Sequence, residues 1–338
     1  MQKSLIFIAL SGALCTAAQA QSSLTVYGVV DMNYTTLSGN GRSRNVMDPG
    51  GISGSRLGFR GSEDLGNGLK AIFELEYGSL KIDANQGISG ARQSFVGLKG
   101  AWGSILGGYI YSPADDFNSG YDGLSNSGLL SARANMLNDG GFSTKVDDTF
   151  TNAVAYISPS LGGLTLRAVV GLGEQESSPK EKKYAFGAEY IRGAFKTALV
   201  YHYIDNQGGV APAANLRETA LGIGYDFGVA KLLGTYAMKK ASGGGDDISW
   251  ALGAQIPAGA GSVRLSYAAL DMSTKSGGKD ARGWSAAYFH DLSKRTTLYT
   301  GYHALDNGST ASYNHERLTG LSAGSNARLF TVGMRHKF

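Results

Sequence analysis

Arg328-Leu329-Phe330-Thr331-Val332-Gly333-Met334-Arg335-His336-Lys337-Phe338 ends the sequence. Every second residue back from Phe338 gives His336, Met334, Val332 and Phe330, and the alternate set is Lys337, Arg335, Gly333, Thr331 and Leu329. One face is mostly apolar and the other mostly polar, which is the pattern of a β-strand between two environments. A soluble sheet would bury the apolar face against a second layer. A closing strand of a membrane barrel instead meets lipid outside and water inside, and a terminal aromatic suits that setting.

The same alternation recurs along the chain. Leu24, Val26, Gly28, Val30, Met32 and Tyr34 alternate with Thr25, Tyr27, Val29, Asp31 and Asn33, and Leu69, Ala71, Phe73, Leu75 and Tyr77 with Lys70, Ile72, Glu74 and Glu76. Segmenting on this period predicts strands over 24–34, 54–62, 68–78, 91–100, 103–110, 150–158, 162–171 and 181–191. It continues over 194–204, 216–226, 229–239, 246–255, 261–270, 282–291, 294–304 and 327–338. The expected architecture is all-β, a 16-stranded antiparallel transmembrane barrel, the even count fitting single-chain bacterial barrels. Fifty glycines and eighteen tyrosines against six prolines fit short strands and tight turns better than helices.

Residues 1–20 are set aside as a secretory signal peptide. Lys3 supplies the charge, residues 5–14 an apolar run too short to span a bilayer, and Ala18-Gln19-Ala20 the small-residue cleavage site. Residues 21–338 are then one barrel domain, because no linker interrupts the strand rhythm. Cys15 is the only cysteine and lies inside the signal, so neither a disulfide nor thiol chemistry is expected. Without Lys3 only a slight basic excess is left, too small to point to nucleic acid.

The connections alternate between short turns, such as 100–103, 191–194 and 225–228, and longer segments, such as 35–53, 79–90, 205–215, 271–281 and 305–326. Short turns belong to the periplasmic side and long loops to the outside. The longest connection, 111–149, carries Asp115, Asp116, Asp122, Asp139, Asp147 and Asp148 against Arg133 and Lys145, so charge is segregated between this loop and the remainder of the chain. A loop of that length is usually functional or disordered, and the water-filled lumen is where it could fold inward. A solvated surface loop is the alternative.

At this point the residues carry a resemblance. Residues 54–71, Gly-Ser-Arg-Leu-Gly-Phe-Arg-Gly-Ser-Glu-Asp-Leu-Gly-Asn-Gly-Leu-Lys-Ala, resemble the second and third strands of the general trimeric porins of beta-proteobacteria. So do Ser-Leu-Thr-Val-Tyr-Gly-Val-Val-Asp at 23–31, Arg-Gln-Ser-Phe-Val-Gly-Leu at 92–98, Ala-Tyr-Ile-Ser-Pro at 155–159 and the terminal Phe338. The resemblance implies a homotrimer in the lipid of the Gram-negative outer membrane. It also implies a third loop folded into the lumen and passive passage of ions and small hydrophilic solutes. In that family basic wall residues face acidic loop residues across a constriction, and low-dielectric walls focus the field between them.

The matching wall residues are Arg56 and Arg92, with Arg60 on the same alternation face as Arg56 and Lys145 near the sixth strand. The acidic partners are Asp115, Asp116 and Asp122. Where the family often carries an arginine after the glycine ending the fifth strand, this chain has Gly107-Gly108-Tyr109, which predicts weaker anion selectivity. Arg56 and Arg60 could instead be ion-pair partners for Glu74, Glu76 or a loop aspartate. Tyr27, Tyr156, Tyr201, Tyr236 and Tyr302 are expected as interface-belt or packing aromatics.

Other functions find less support. Gly320-Leu321-Ser322-Ala323-Gly324 matches a nucleophile elbow but lacks the strand-turn-helix setting that motif needs. His202, His290, His303, His315 and His336 show no metal-ligand spacing, so neither metal nor cofactor is expected. A substrate-specific channel or adhesin on the same barrel remains an alternative. So does a membrane-embedded hydrolase with His202 or His303 paired to a polar neighbour facing lipid.

Overall fold

The computed structural model describes residues 23–78, 80, 82, 87, 88, 90–137, 149–173, 181–207, 214–314 and 321–338. The expected signal peptide at 1–20, Lys145, Asp139, Asp147, Asp148, His315 and Gly320 lie outside the described residues.

Seventeen β-segments run in chain order as β1 (Ser23–Gly39), β2 (Arg42–Pro49), β3 (Arg56–Gly66), β4 (Leu69–Tyr77), β5 (Ala91–Gly100), β6 (Gly103–Tyr111), β7 (Thr149–Ile157) and β8 (Leu164–Gly171). They continue as β9 (Lys182–Arg192), β10 (Phe195–Gln207), β11 (Ala214–Asp226), β12 (Lys231–Ala241), β13 (Asp246–Ala258), β14 (Gly261–Asp271), β15 (Ala281–Asp291), β16 (Thr296–Asn307) and β17 (Ala327–Lys337). From β3 to β17 each strand pairs antiparallel with its sequence neighbours. The sheet closes because β1 pairs with β17 over Val29 to Ser38 and with β3 over Ser23 to Val29. Closure leaves no free sheet edge within the lipid, which membrane insertion requires.

Each of the sixteen expected strands is present. The seventeenth segment, β2, falls where a loop over 35–53 was expected. It continues as a hairpin from β1, registered from Met32 with Pro49 to Gly39 with Arg42. Asn40 and Gly41 both take positive φ, 50° and 70°, as an Asn-Gly hairpin turn does. Because β2 and β3 pair with successive stretches of β1, they share one strand position, and the barrel is sixteen-stranded. The polar, glycine-rich composition of 38–54 hid the hairpin.

Directly opposed residues share a face, so the registers assign each paired strand residue to lipid or lumen. Outward on successive strands stand Val26, Leu75, Val96, Ile105, Val154, Leu166, Phe186, Leu199, Leu221, Leu252, Leu265, Leu298 and Val332, large apolar residues that are all exposed. The outward face of β17 is Phe330, Val332 and Met334 as its alternation predicts. Phe338 continues the pairing, donating its N–H to Gly28 O at 3.1 Å and accepting from Gly28 N at 3.2 Å, with its ring where a Gly28 Cβ would stand. Tyr156, Tyr201, Tyr236 and Tyr302 share the outward parity. Tyr27 does not: it points inward, its ring against Gly58 and 5.0 Å from the Arg60 guanidinium.

The inward face is uneven, and this positions the site. On β10 to β15 it is built from small residues, among them Ala198, Ala220, Ala237, Ala251, Ala268 and Ala287, all buried. What buries them is the long connection after β6.

Candidate pore constriction

The connection after β6 begins with α1 (Pro113–Gly120), capped by Ser112, whose hydroxyl accepts from Ala114 N, with Pro113 at its first turn. A second helix, α2 (Ala132–Leu137), follows. Helix α1 lies against β8, β9 and β10, and α2 against β14, β15 and β16. Between them the chain crosses β11 to β13, with Gln255 Nε2 donating to Gly123 O at 3.0 Å and Arg264 Nη1 to Ser125 Oγ at 3.1 Å.

The close seat depends on missing side chains. A Cβ on Gly187 would meet Pro113 at 2.5 Å, on Gly222 the Tyr121 ring at 2.6 Å, on Gly253 the Gly123 backbone at 2.6 Å and on Gly301 Leu130 at 2.8 Å. Phe117, Tyr121, Leu124, Leu129, Leu130 and Met136 form one apolar cluster with the small wall residues. Burying an aromatic or branched side chain of this kind contributes about 1.5–3 kcal/mol. The loop is therefore packed onto one half of the inner wall, on the face opposite the apolar band.

Besides Arg264, two further cations hold it. Arg167 Nη1 lies 2.7 Å from Asp116 Oδ2, and Lys196 Nζ donates to Gly120 O, its ammonium 4.5 Å from the Tyr121 ring centre. Arg133 of α2 is buried with its guanidinium 5.6 Å from the Phe117 ring. Burial pushes it down to about 10, while Asp122 and Glu218 oppose that fall. Burial and the neighbouring Glu189 push the Tyr121 phenol above its ordinary value.

The uncovered half of the wall, β17, β1, β3, β4 and β5, carries charge. Glu76 collects Arg92 Nε at 2.6 Å, Arg56 Nε at 3.7 Å and the Tyr27 hydroxyl at 3.0 Å. Arg60 stands exposed further along the inward face of β3, opposite Glu74 on β4. Register with Asp31 and Val29 turns Arg335 and Lys337 inward beside this group. Arg335 donates to Ser53 Oγ at 3.1 Å and to Thr297 Oγ1 at 3.2 Å.

The expected residues are thus dispersed. Arg56 and Arg92 come together on one carboxylate, and Arg60 shares their face. Asp115 and Asp116 lie on α1, Asp116 exposed and bonded to Arg167. Asp122 is buried and occupied with its own turn, accepting from Leu124 N at 3.2 Å and Asn126 N at 2.8 Å. Sequence reasoning offered Glu76 as an ion-pair partner for Arg56 but not as one shared with Arg92, and it missed Arg167, Lys196 and Arg264 as contacts of the loop. Their signal was parity: each stands in phase with a lumen-facing neighbour on the next strand.

His202 and His303 both face inward, not toward lipid, and both are buried. His202 Nδ1 lies 3.6 Å from Glu218, and His303 Nδ1 lies 2.8 Å from Ser285 Oγ, with Gly283 beside them against Ala132 of α2. Leu321 to Gly324 lie between β16 and β17 without a helix after them, so the elbow motif lacks its setting among the described residues.

A family model described as Gram-negative porin matches residues 6–310. Outer membrane porin protein 32 of Delftia acidovorans is 33% identical over 362 residues, with 100% of each chain covered. A second outer membrane porin protein, from Bordetella pertussis, is 28% identical, covering 88% of this chain and 93% of that one. Among solved structures, an anion-selective porin from Comamonas acidovorans superposes with a TM-score of 0.83 at 31% identity, over 94% of this chain and 100% of that one. A closed barrel, greasy outside and charged inside, agrees with these matches, and the chain belongs to the Gram-negative porin family, outer-membrane channels for passive diffusion of small hydrophilic solutes.

Proposed function

We propose that this channel prefers anions, modestly, and that the preference is set by Arg56, Arg60 and Arg92 on the wall, facing Asp115 and Asp116 on α1. The observation that carries the reading is the charge of the uncovered wall, where the inward cations Arg56, Arg60, Lys70, Arg92, Lys99, Arg335 and Lys337 stand against Glu74, Glu76, Asp64 and the buried Asp31. Field lines in a narrow, low-dielectric passage are focused, so a small imbalance biases which ion enters. The sharing of Glu76 between two arginines keeps the bias modest. A 31%-identical solved relative is an anion-selective porin, which supports the same sign.

The channel does no chemistry in this reading. The Ser285–His303 contact is covered by α2, out of reach of solute. Lys145 and Asp122 have smaller parts: Lys145 adds to the basic side, and Asp122 shapes the loop. The protein works as a homotrimer, as the beta-proteobacterial resemblance implies. The experiment is planar-bilayer recording across a salt gradient: a reversal potential on the anion side, with ohmic and unsaturated current, is expected. A cation-side potential refutes the selectivity, current blocked by micromolar solute points to a dedicated channel, and cross-linking tests the trimer.

A further inference from the structure

One part of the barrel is not accounted for by closure or by the basic wall. The strand position shared by β2 and β3 is interrupted at residues 50–55, and this interruption turns into the lumen. Its floor is Asp31, a fully buried aspartate on the inward face of β1. The Asp31 carboxylate accepts four hydrogen bonds: Gly51 N and the Tyr299 hydroxyl on Oδ1, at 3.0 and 2.6 Å, and Ile52 N and Ser53 N on Oδ2, at 3.0 and 2.9 Å. The Asp31 backbone joins in, its carbonyl accepting from Gly50 N at 2.9 Å and the Ser55 hydroxyl at 3.1 Å, and its N–H donating to Ser55 Oγ at 3.0 Å. Gly51 is required at that spot, because a Cβ there would stand 1.9 Å from the Tyr299 hydroxyl oxygen.

The opposite side of the turn meets the loop. Gly51 O accepts from the Ser127 hydroxyl at 2.9 Å and lies 3.4 Å from Leu129 N, while Ser127 Oγ accepts from Leu130 N at 3.0 Å. Ile52 belongs to the same apolar cluster as Leu129 and Leu130. An unbroken chain of contacts therefore runs from the closing strands, through Asp31 and the turn, to the middle of the loop. It meets the loop where the loop leaves β14 and reaches β16.

We infer that the inward turn at 51–53, held by the Asp31 carboxylate, is a brace that fixes the loop against the wall and so sets the width and steadiness of the open bore. Asp31 is a positioning residue, acting on permeation through the loop without lying in the ion path. A buried carboxylate needs such a full set of donors to stay in place, and here the donors are the turn itself. Removing the carboxylate frees the turn, and freeing the turn releases the loop's middle while both helices stay seated. The inference rests on the proposal above that Asp115 and Asp116 of this loop face the basic wall across the ion path.

Two variants test it, Asp31→Ala at the base of the brace and Ser127→Ala at its tip, the latter leaving every strand untouched. Folding is read from the gel shift between heated and unheated samples, and permeation from single-channel recordings of the purified full chain. The brace predicts that both folded variants lose the single steady conductance level and gain loop-dependent noise and substates. The double variant should do no more than Asp31→Ala alone, because both cut one path. Wild-type conductance and noise in folded Ser127→Ala overturns the brace, and that variant decides alone if Asp31→Ala does not fold. Asp115→Asn with Asp116→Asn is the control: a moved reversal potential places the loop in the ion path, and an unmoved one removes the constriction itself, a different failure.

Discussion

Arg92 Nε sits 2.6 Å from Glu76 Oε1, while Arg56 reaches the other oxygen of the same carboxylate at 3.7 Å. One acid thus holds two of the cations that line the uncovered wall. The free positive charge offered to a passing ion depends on Glu76 as much as on the arginines.

Replacing Glu76 by Gln keeps the size and a hydrogen-bonding group but removes the countercharge. Anion preference should rise, with the permeability ratio moving about two- to threefold, a small part of the roughly 10–10³-fold range over which focused fields act. Reversal potentials in a salt gradient measure it. A shift toward cations would mean that Glu76 is not the acid that tempers the wall.

Neutralising Arg56 and Arg60 together should move selectivity the other way, toward cations. The effect should shrink at high salt, where the Debye length falls to about 3 Å. If the potential stayed put at low salt, these arginines would be structural ion-pair partners only.

Gly222 lies beneath the Tyr121 and Phe117 rings, with no room for a Cβ. Gly222→Val should lift α1 from the wall at a cost of about 1–3 kcal/mol, as overpacking does. Thermal unfolding in detergent reads the loss, and altered conductance reads the displaced helix. Unchanged stability and conductance would show that the contact relaxes freely.

Arg133 is buried, with Asp122 and Glu218 as the acids that offset its charge, and removing one partner of a buried charge set leaves the others uncompensated. Arg133→Met should destabilise by about 3–5 kcal/mol, and adding Glu218→Gln should restore part of that. Denaturant titration of the single and double variants decides, and a double variant worse than the single would dissociate the two residues.

Much of the fold was legible because a barrel strand writes its two environments into adjacent residues. Phe330, Val332 and Met334 against Leu329, Thr331 and Arg335 state which face meets lipid without knowledge of any partner. All sixteen strands followed from that local rule. β2 escaped because Ser38 to Gly41 read as a polar loop, although Asn40-Gly41 is a hairpin signal that the alternation of the flanking residues supports.

The sequence by itself determined the alternation, the strand count and the acidic third connection, all of them properties of near neighbours in the chain, whereas Arg92, out of phase with the inward Gln93 and Phe95, reaches the lumen only through the register irregularity between Glu76 and Tyr77. Only the tertiary structure decided which charges meet: that Glu76 takes both arginines, that Asp122 is consumed by its own turn, and that Asp31 holds the turn at 51–53 against Ser127. Most of those pairings join residues far apart in the chain, and they depend on the register of closure and on the space left by Gly187, Gly222, Gly253 and Gly301. A period-2 pattern fixes which way a side chain points, but not what stands opposite it across the lumen.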